Sequence, residues 1–373
     1  MYTIRERALW ICFCYLFVLA IGPALAAQEA PPFKYDPNWP KLPLPNKWTM
    51  EGVMGMYVDN GDHIWVLQRS SDFDQDKTEN YASLNPPTAE CCVRPPAVLE
   101  FDTNGNLLKG WGGPDADPDW GATHTIFVDK KGIVWLGTPG GVLKYDGNGK
   151  FLSRLGEPQK EGVNGQAQNN QSHKLSGQPA GMDLDEDAHE IYIADCCVNK
   201  RVVVWDSDTG EFKRAWGAYG TSINQIDNNP SPRHNPSGPP AKYFDQVHCV
   251  KISRDGLVYV CDDRGDRIQV FTKQGKFLKE FFVANTTLDR GSVASIDFSS
   301  DPQQKNVFVA DMMDSVVWIL NRDDGVIVGK IGGMGHSGGL FHWVHVISMD
   351  SQGTLYAGEI DSGKRVQKFV PVR

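Results

Sequence analysis

A chain of 373 residues in which 46 Asp and Glu outnumber 37 Lys and Arg has a formal net charge of −9, which excludes bulk charge as a basis for binding nucleic acid or an anionic membrane. Hydrophobic residues at 40%, charged residues at 22%, 38 Gly and 23 Pro exclude a disordered or fibrous chain and describe a globular one rich in turns. The length admits several domains or one large repeat fold.

Arg5 and Arg7 precede an apolar run from Ala8 to Ile21 and the small-residue stretch Ala24-Leu25-Ala26. This is the pattern of a secretory signal over residues 1–26, with a retained N-terminal anchor as the alternative. No later segment reaches ~18 consecutive apolar residues, and Cys12 and Cys14 do not follow a lipoprotein pattern. After cleavage the chain is expected to be periplasmic or secreted, membrane-free, and at net charge −10. Six cysteines remain, Cys91, Cys92, Cys196, Cys197, Cys249 and Cys261, in a compartment where disulfides form.

From residue 51 onward one theme recurs six times: an apolar strand, a polar turn, an alternating second strand, then two more strands. The second strands start at Ile64, Val134, Ile191, Val258, Val307 and Leu355, and the third at Val98, Val142, Val202, Ile268, Val317 and Val366. Four-stranded units of this length cannot bury both faces alone, so the expected fold is all-β, a six-bladed β-propeller with antiparallel blades over residues 51–373. The sixth copy ends before a fourth strand. Residues 27–50 are expected to supply it around Phe33 to Met50, where prolines suit an outer edge strand. The long connections, 69–96, 157–177, 218–242 and 333–342, gather at one mouth of the channel, which is where chemistry is expected.

Five positions before the residue that closes each first strand stand Met54, His124, Ala180, His248, Ala294 and His345. Histidine therefore occupies alternate blades, and nine His in the whole chain do not produce that register by composition. First strands line the channel, so three imidazoles should converge on its axis and hold a divalent ion such as zinc, able to polarise a bound oxygen. A ring of water-bridged histidines is the alternative. His63, His173, His189, His234, His336 and His342 lack register and are expected to be solvated, with His336 and His342 the exceptions to watch because their loop leads to His345.

Arg267-Ile268-Gln269-Val270-Phe271 followed by Gly275-Lys276-Phe277 resembles the NHL-repeat propellers. The histidine register further resembles the catalytic propeller of peptidyl-α-hydroxyglycine α-amidating lyase and its secreted bacterial relatives. That resemblance implies a zinc on His124, His248 and His345, and a substrate-holding role for Arg69. The lyase's catalytic tyrosine aligns with Cys197 and its second arginine with Asp263, next to Arg264, and Val346 replaces an aspartate that helps hold a structural calcium. Cys197, Asp263 and Arg264 are thus secondary candidates for proton transfer or orientation, and the calcium is not expected. The resemblance implies a zinc-dependent carbon–nitrogen lyase acting on a small polar or peptide-like substrate. The alternative is a non-catalytic propeller that binds a protein or small ligand through its loop face. A lactonase-like propeller, which wants carboxylate-rich ligands, fits less well.

Adjacent cysteines rarely bond to each other, so Cys91-Cys92 and Cys196-Cys197 are expected either to link pair to pair, bracing the long loop, or to ligate a soft metal. Cys249 and Cys261 face each other across a hairpin, as a disulfide or as buried thiols. Asp195, Asp262, Asp311 and Glu359 recur at second-strand ends and are expected to serve turns and neighbouring blades.

Overall fold

Each apolar repeat forms one four-stranded antiparallel sheet in the computed structural model, which describes residues 30–69, 80–114, 116–117, 120–159, 168–175 and 177–372. The signal expected over residues 1–26 lies outside the described residues. Six such sheets make a β-propeller. The innermost strands are Val53–Val58, Thr125–Val128, Gln178–Asp185, Val247–Ile252, Ser295–Phe298 and Val344–Met349, in blades one to six. Alternating β-branched and aromatic residues leave both faces of each blade apolar, and the ring buries them between neighbours. Blades two and three, for example, share a core of Phe127, Trp135, Leu155, Met182, Ile193 and Trp205.

The sixth blade takes its outer strand from the N-terminal side. Phe33–Asp36 pairs antiparallel with Arg365–Pro371, placing Tyr35 opposite Phe369. The acidic residues at second-strand ends are fully buried and paired within their blades. Asp195 accepts from Arg201 Nε at 2.8 Å, Asp262 from Arg267 Nε at 2.9 Å, Asp311 from Trp318 Nε1 at 2.9 Å and Glu359 from Arg365 Nε at 2.6 Å. Cys249 and Cys261 are register partners, 4.9 Å apart at Cα, and form a disulfide.

Along the innermost strands, regular pairing breaks at one repeated place. Register shifts fall between Val53 and Gly55, Pro179 and Gly181, Val247 and Cys249, and Val344 and Val346. The extra residues are Met54, Ala180, His248 and His345, so the channel position in four blades is the bulged residue of the inner strand. In the other two blades, His124 and Ala294 stand just before the strand, where their N–H groups donate to Gly137 and Ala310 at 2.9 and 3.0 Å. A bulge turns its side chain out of the pleat, here toward the axis.

Candidate metal centre

His124, His248 and His345 meet on that axis. Their ring centroids are 5.1 to 5.3 Å apart, and one nitrogen from each lies within 4.8 Å of the others. All three side chains are buried. His124 Nδ1 lies 3.1 Å from the Ala180 carbonyl, and His248 Nδ1 lies 2.6 Å from that of Ala294. A carbonyl only accepts, so each Nδ1 carries the hydrogen and each Nε2 keeps a lone pair. This is how a ligating histidine is held by its outer partner. His345 Nδ1 makes no bond of full hydrogen-bond geometry, although the Val53 carbonyl acts on it from the next blade.

The surroundings keep the imidazoles neutral. Burial, followed by His248, pushes His124 down to about 3, with Arg69 adding to the effect and the Ala180 carbonyl opposing it. Burial also lowers His248, helped by Arg290 and Arg264, and lowers His345 furthest, helped by His248, His124 and Arg69. Three guanidinium groups thus act on the trio. Arg69 Nη1 donates to Asp361 at 2.6 Å, while its Nε is buried without a partner among the described residues. A small apolar wall of Ala294, Met312 and Ile360, with Met54 and Trp343 against it, lies beside the trio.

A cavity of about 60 Å³ extends along the axis from His248 and His345 to Lys251 and Asp183. Burial alone would lower the Lys251 ammonium, but Asp297, 3.2 Å away, and Asp183 outweigh it and raise its pKa. The channel below the trio therefore carries a cation supplied by the chain, and Val346 offers no carboxylate there.

The structure places the secondary candidates differently. Cys197 bonds to Cys196, which corrects the expectation that adjacent cysteines would pair elsewhere or bind a soft metal. The reason is local. Cys197 has φ 70°, and Val198 N–H donates to the Cys196 carbonyl at 2.8 Å, a tight turn centred on Cys197 that lets the two sulfurs meet. With the disulfide closed, Cys197 has no thiol for proton transfer. Asp263 is buried, its pKa is raised well above the ordinary value, chiefly by burial, and one of its oxygens has no hydrogen-bond partner among the described residues. Arg264 lines a cavity of about 470 Å³ together with Cys197.

His336 and His342 stack on each other at 4.5 Å, and His342 Nδ1 lies 2.7 Å from Ser362 Oγ, so neither joins the trio. His234, expected in solvent, is instead largely buried beside Asp266 at 3.4 Å. Sequence reasoning missed the residues following the non-histidine channel positions. Gly55 and Gly181 lie against the backbone of His124 and His248, and Ser295 Oγ accepts from Ile347 N–H beside His345. Their signal was available as a small residue one place after Met54, Ala180 and Ala294.

Ring and trio together define a six-bladed β-propeller with a three-histidine axial centre. No family model matches the chain. It is similar to NHL repeat-containing protein 3 of Homo sapiens, 27% identical over 299 residues, covering 74% of this chain and 73% of that protein. The Mus musculus protein of the same name is 25% identical over 362 residues, covering 92% and 86%. Among solved structures, that of a streptogramin B lyase superposes with TM-score 0.52 at 13% identity, covering 87% of this chain and 95% of that one. A Bacteroides thetaiotaomicron protein of unknown function gives 0.54 at 14% identity, covering 86% and 70%. At these identities the two structures speak for the propeller fold alone.

Proposed function

We propose that this chain is a secreted, zinc-dependent propeller enzyme of the amidating-lyase type. The observation that carries the proposal is the orientation of the trio: Nδ1 of His124 and His248 is committed to backbone carbonyls of the next blade, so their Nε2 atoms are left as ligands. The donor set fits zinc, which takes neutral imidazole nitrogens and keeps a further position open at a catalytic site. One nitrogen from each ring lies within 4.8 Å of the others, so His124, His248 and His345 would hold a single ion between them. Zinc bound here supplies a Lewis acid for a substrate oxygen.

The protein's own groups do the rest. Arg69 receives an anionic group such as a carboxylate, using the guanidinium edge that Asp361 does not occupy. Met54, Ala294, Met312 and Trp343 keep water from one side of the trio. Burial shifts Asp263 toward its protonated form, the form a carboxylic acid needs to give a proton. The substrate would be a small polar or peptide-like molecule cleaved at a carbon–nitrogen bond. Turnover of an α-hydroxyglycine peptide by the zinc-loaded protein, lost in Arg69→Gln, is the expected result. Bound zinc with no turnover would discard the reaction, and no bound zinc would favour a binding propeller that uses its loop face for a protein partner.

A further inference from the structure

We propose that the Cys196–Cys197 disulfide is a redox-active site that exchanges with an amino-acid or short-peptide thiol. The two disulfides among the described residues have opposite surroundings. Cys249–Cys261 is sealed between strands of blade four, with both residues buried. In Cys196–Cys197 the first residue is inaccessible while Cys197 is exposed, on the wall of the cavity of about 470 Å³. That volume lies in the range of small-molecule pockets, roughly 300–1,000 Å³. The cavity also presents both signs of charge: Arg233 and Arg264 on one hand, Asp245 and Asp289 on the other. Guanidinium groups suit a carboxylate and the aspartates suit an ammonium, so the complement is a zwitterionic thiol rather than a neutral one.

Access fixes the direction of attack, since exchange requires the incoming thiolate to reach a sulfur. The thiolate bonds to Cys197 Sγ, the Cys196–Cys197 bond breaks, and Cys196 leaves as a thiolate that takes up the proton released by the incoming thiol. A second molecule of thiol then attacks the mixed disulfide. The balance is two thiols oxidised to one small disulfide and one protein disulfide reduced to two thiols. Opening the ring also removes the covalent constraint on Cys197, a non-glycine residue at φ 70°. The histidine centre is not part of this chemistry.

The test treats the oxidised full chain with graded glutathione or cysteine, then quenches, alkylates and maps the cysteines by mass spectrometry. Cys197 should appear as a mixed disulfide and Cys196 as an alkylated thiol, while Cys249–Cys261 stays closed. Corrected for thiol pKa, glutathione and cysteine should react at least about tenfold faster than uncharged 2-mercaptoethanol. Arg264→Gln should remove that preference without slowing 2-mercaptoethanol. Cys196→Ser, treated instead with glutathione disulfide, should exchange at the free Cys197 thiol, release one glutathione and keep a stable adduct that no neighbouring thiol displaces, with circular dichroism confirming the fold. If both disulfides open together, or neither opens until the chain unfolds, the redox proposal fails. Equal rates for charged and uncharged thiols would overturn the ligand class.

Discussion

His248 Nδ1 lies 2.6 Å from the carbonyl oxygen of Ala294, the residue at the same place one blade on. His124 and Ala180 repeat the relationship at 3.1 Å. Two of the three histidine rings are thus oriented by the next blade, which supplies only backbone there. This explains why a small side chain suffices at Ala180 and Ala294. It also makes the trio sensitive to the spacing between blades.

Gly181→Ala tests that sensitivity. The added Cβ would stand 2.7 Å from Cys249 Cα and 2.9 Å from the His248 carbonyl oxygen, both backbone atoms that cannot rotate away. The substitution should lower zinc affinity about tenfold, measured by chelator competition, and cost about 1–3 kcal/mol in a denaturant melt. Wild-type values for both would show that blade spacing does not set the trio.

The second concerns pH. Burial raises Asp266 to about 7, although Ser292 opposes the shift, so the folded chain holds a proton there that the unfolded chain has released. Stability from this group is present below the ordinary carboxylate value and is lost as pH rises toward 7. The buried histidines act oppositely, because the unfolded chain binds their protons first, so only a difference isolates Asp266. Asp266→Asn keeps the shape and tolerates the left-handed backbone at φ 51°. Relative to wild type, the variant should gain stability from pH 4 to 7 by urea melts, and a pH-independent difference would refute the assignment.

Cys249 and Cys261 close a loop with a sequence separation of 12. Replacing both by Ala should cost about 3 kcal/mol, the scale for a loop near this length. A loss under about 1 kcal/mol in urea would mean that the bond contributes little beyond packing.

Ring closure rests on a short edge strand. Phe33 packs edge-on against Phe308 at 5.6 Å, and Tyr35 meets Phe369 at 5.9 Å. Phe33→Ala with Tyr35→Ala should cost on the order of 2–4 kcal/mol and speed amide exchange across Arg365–Pro371 before other blades open. Uniform acceleration over the whole ring would instead indicate that the blades open as one unit.

The blade count and the histidine register were legible because both are periodic, and period survives in a single sequence. The bulges at Met54, Ala180, His248 and His345 were not, since a bulge is a property of two paired strands. Similarly, the Cys196–Cys197 bond depends on the backbone angle at Cys197, which no spacing of cysteines encodes. The role proposed for Arg69 rests on resemblance. Its pairing with Asp361 joins residues from the first and last blades, a contact that no local pattern announces.

Elemental analysis of zinc-loaded, desalted protein addresses the metal centre most directly, with wild type measured beside a variant carrying His124→Ala, His248→Ala and His345→Ala. The account predicts about one zinc per wild-type chain and a negligible amount in the variant. Equal content in the two, whether none or one, would contradict it.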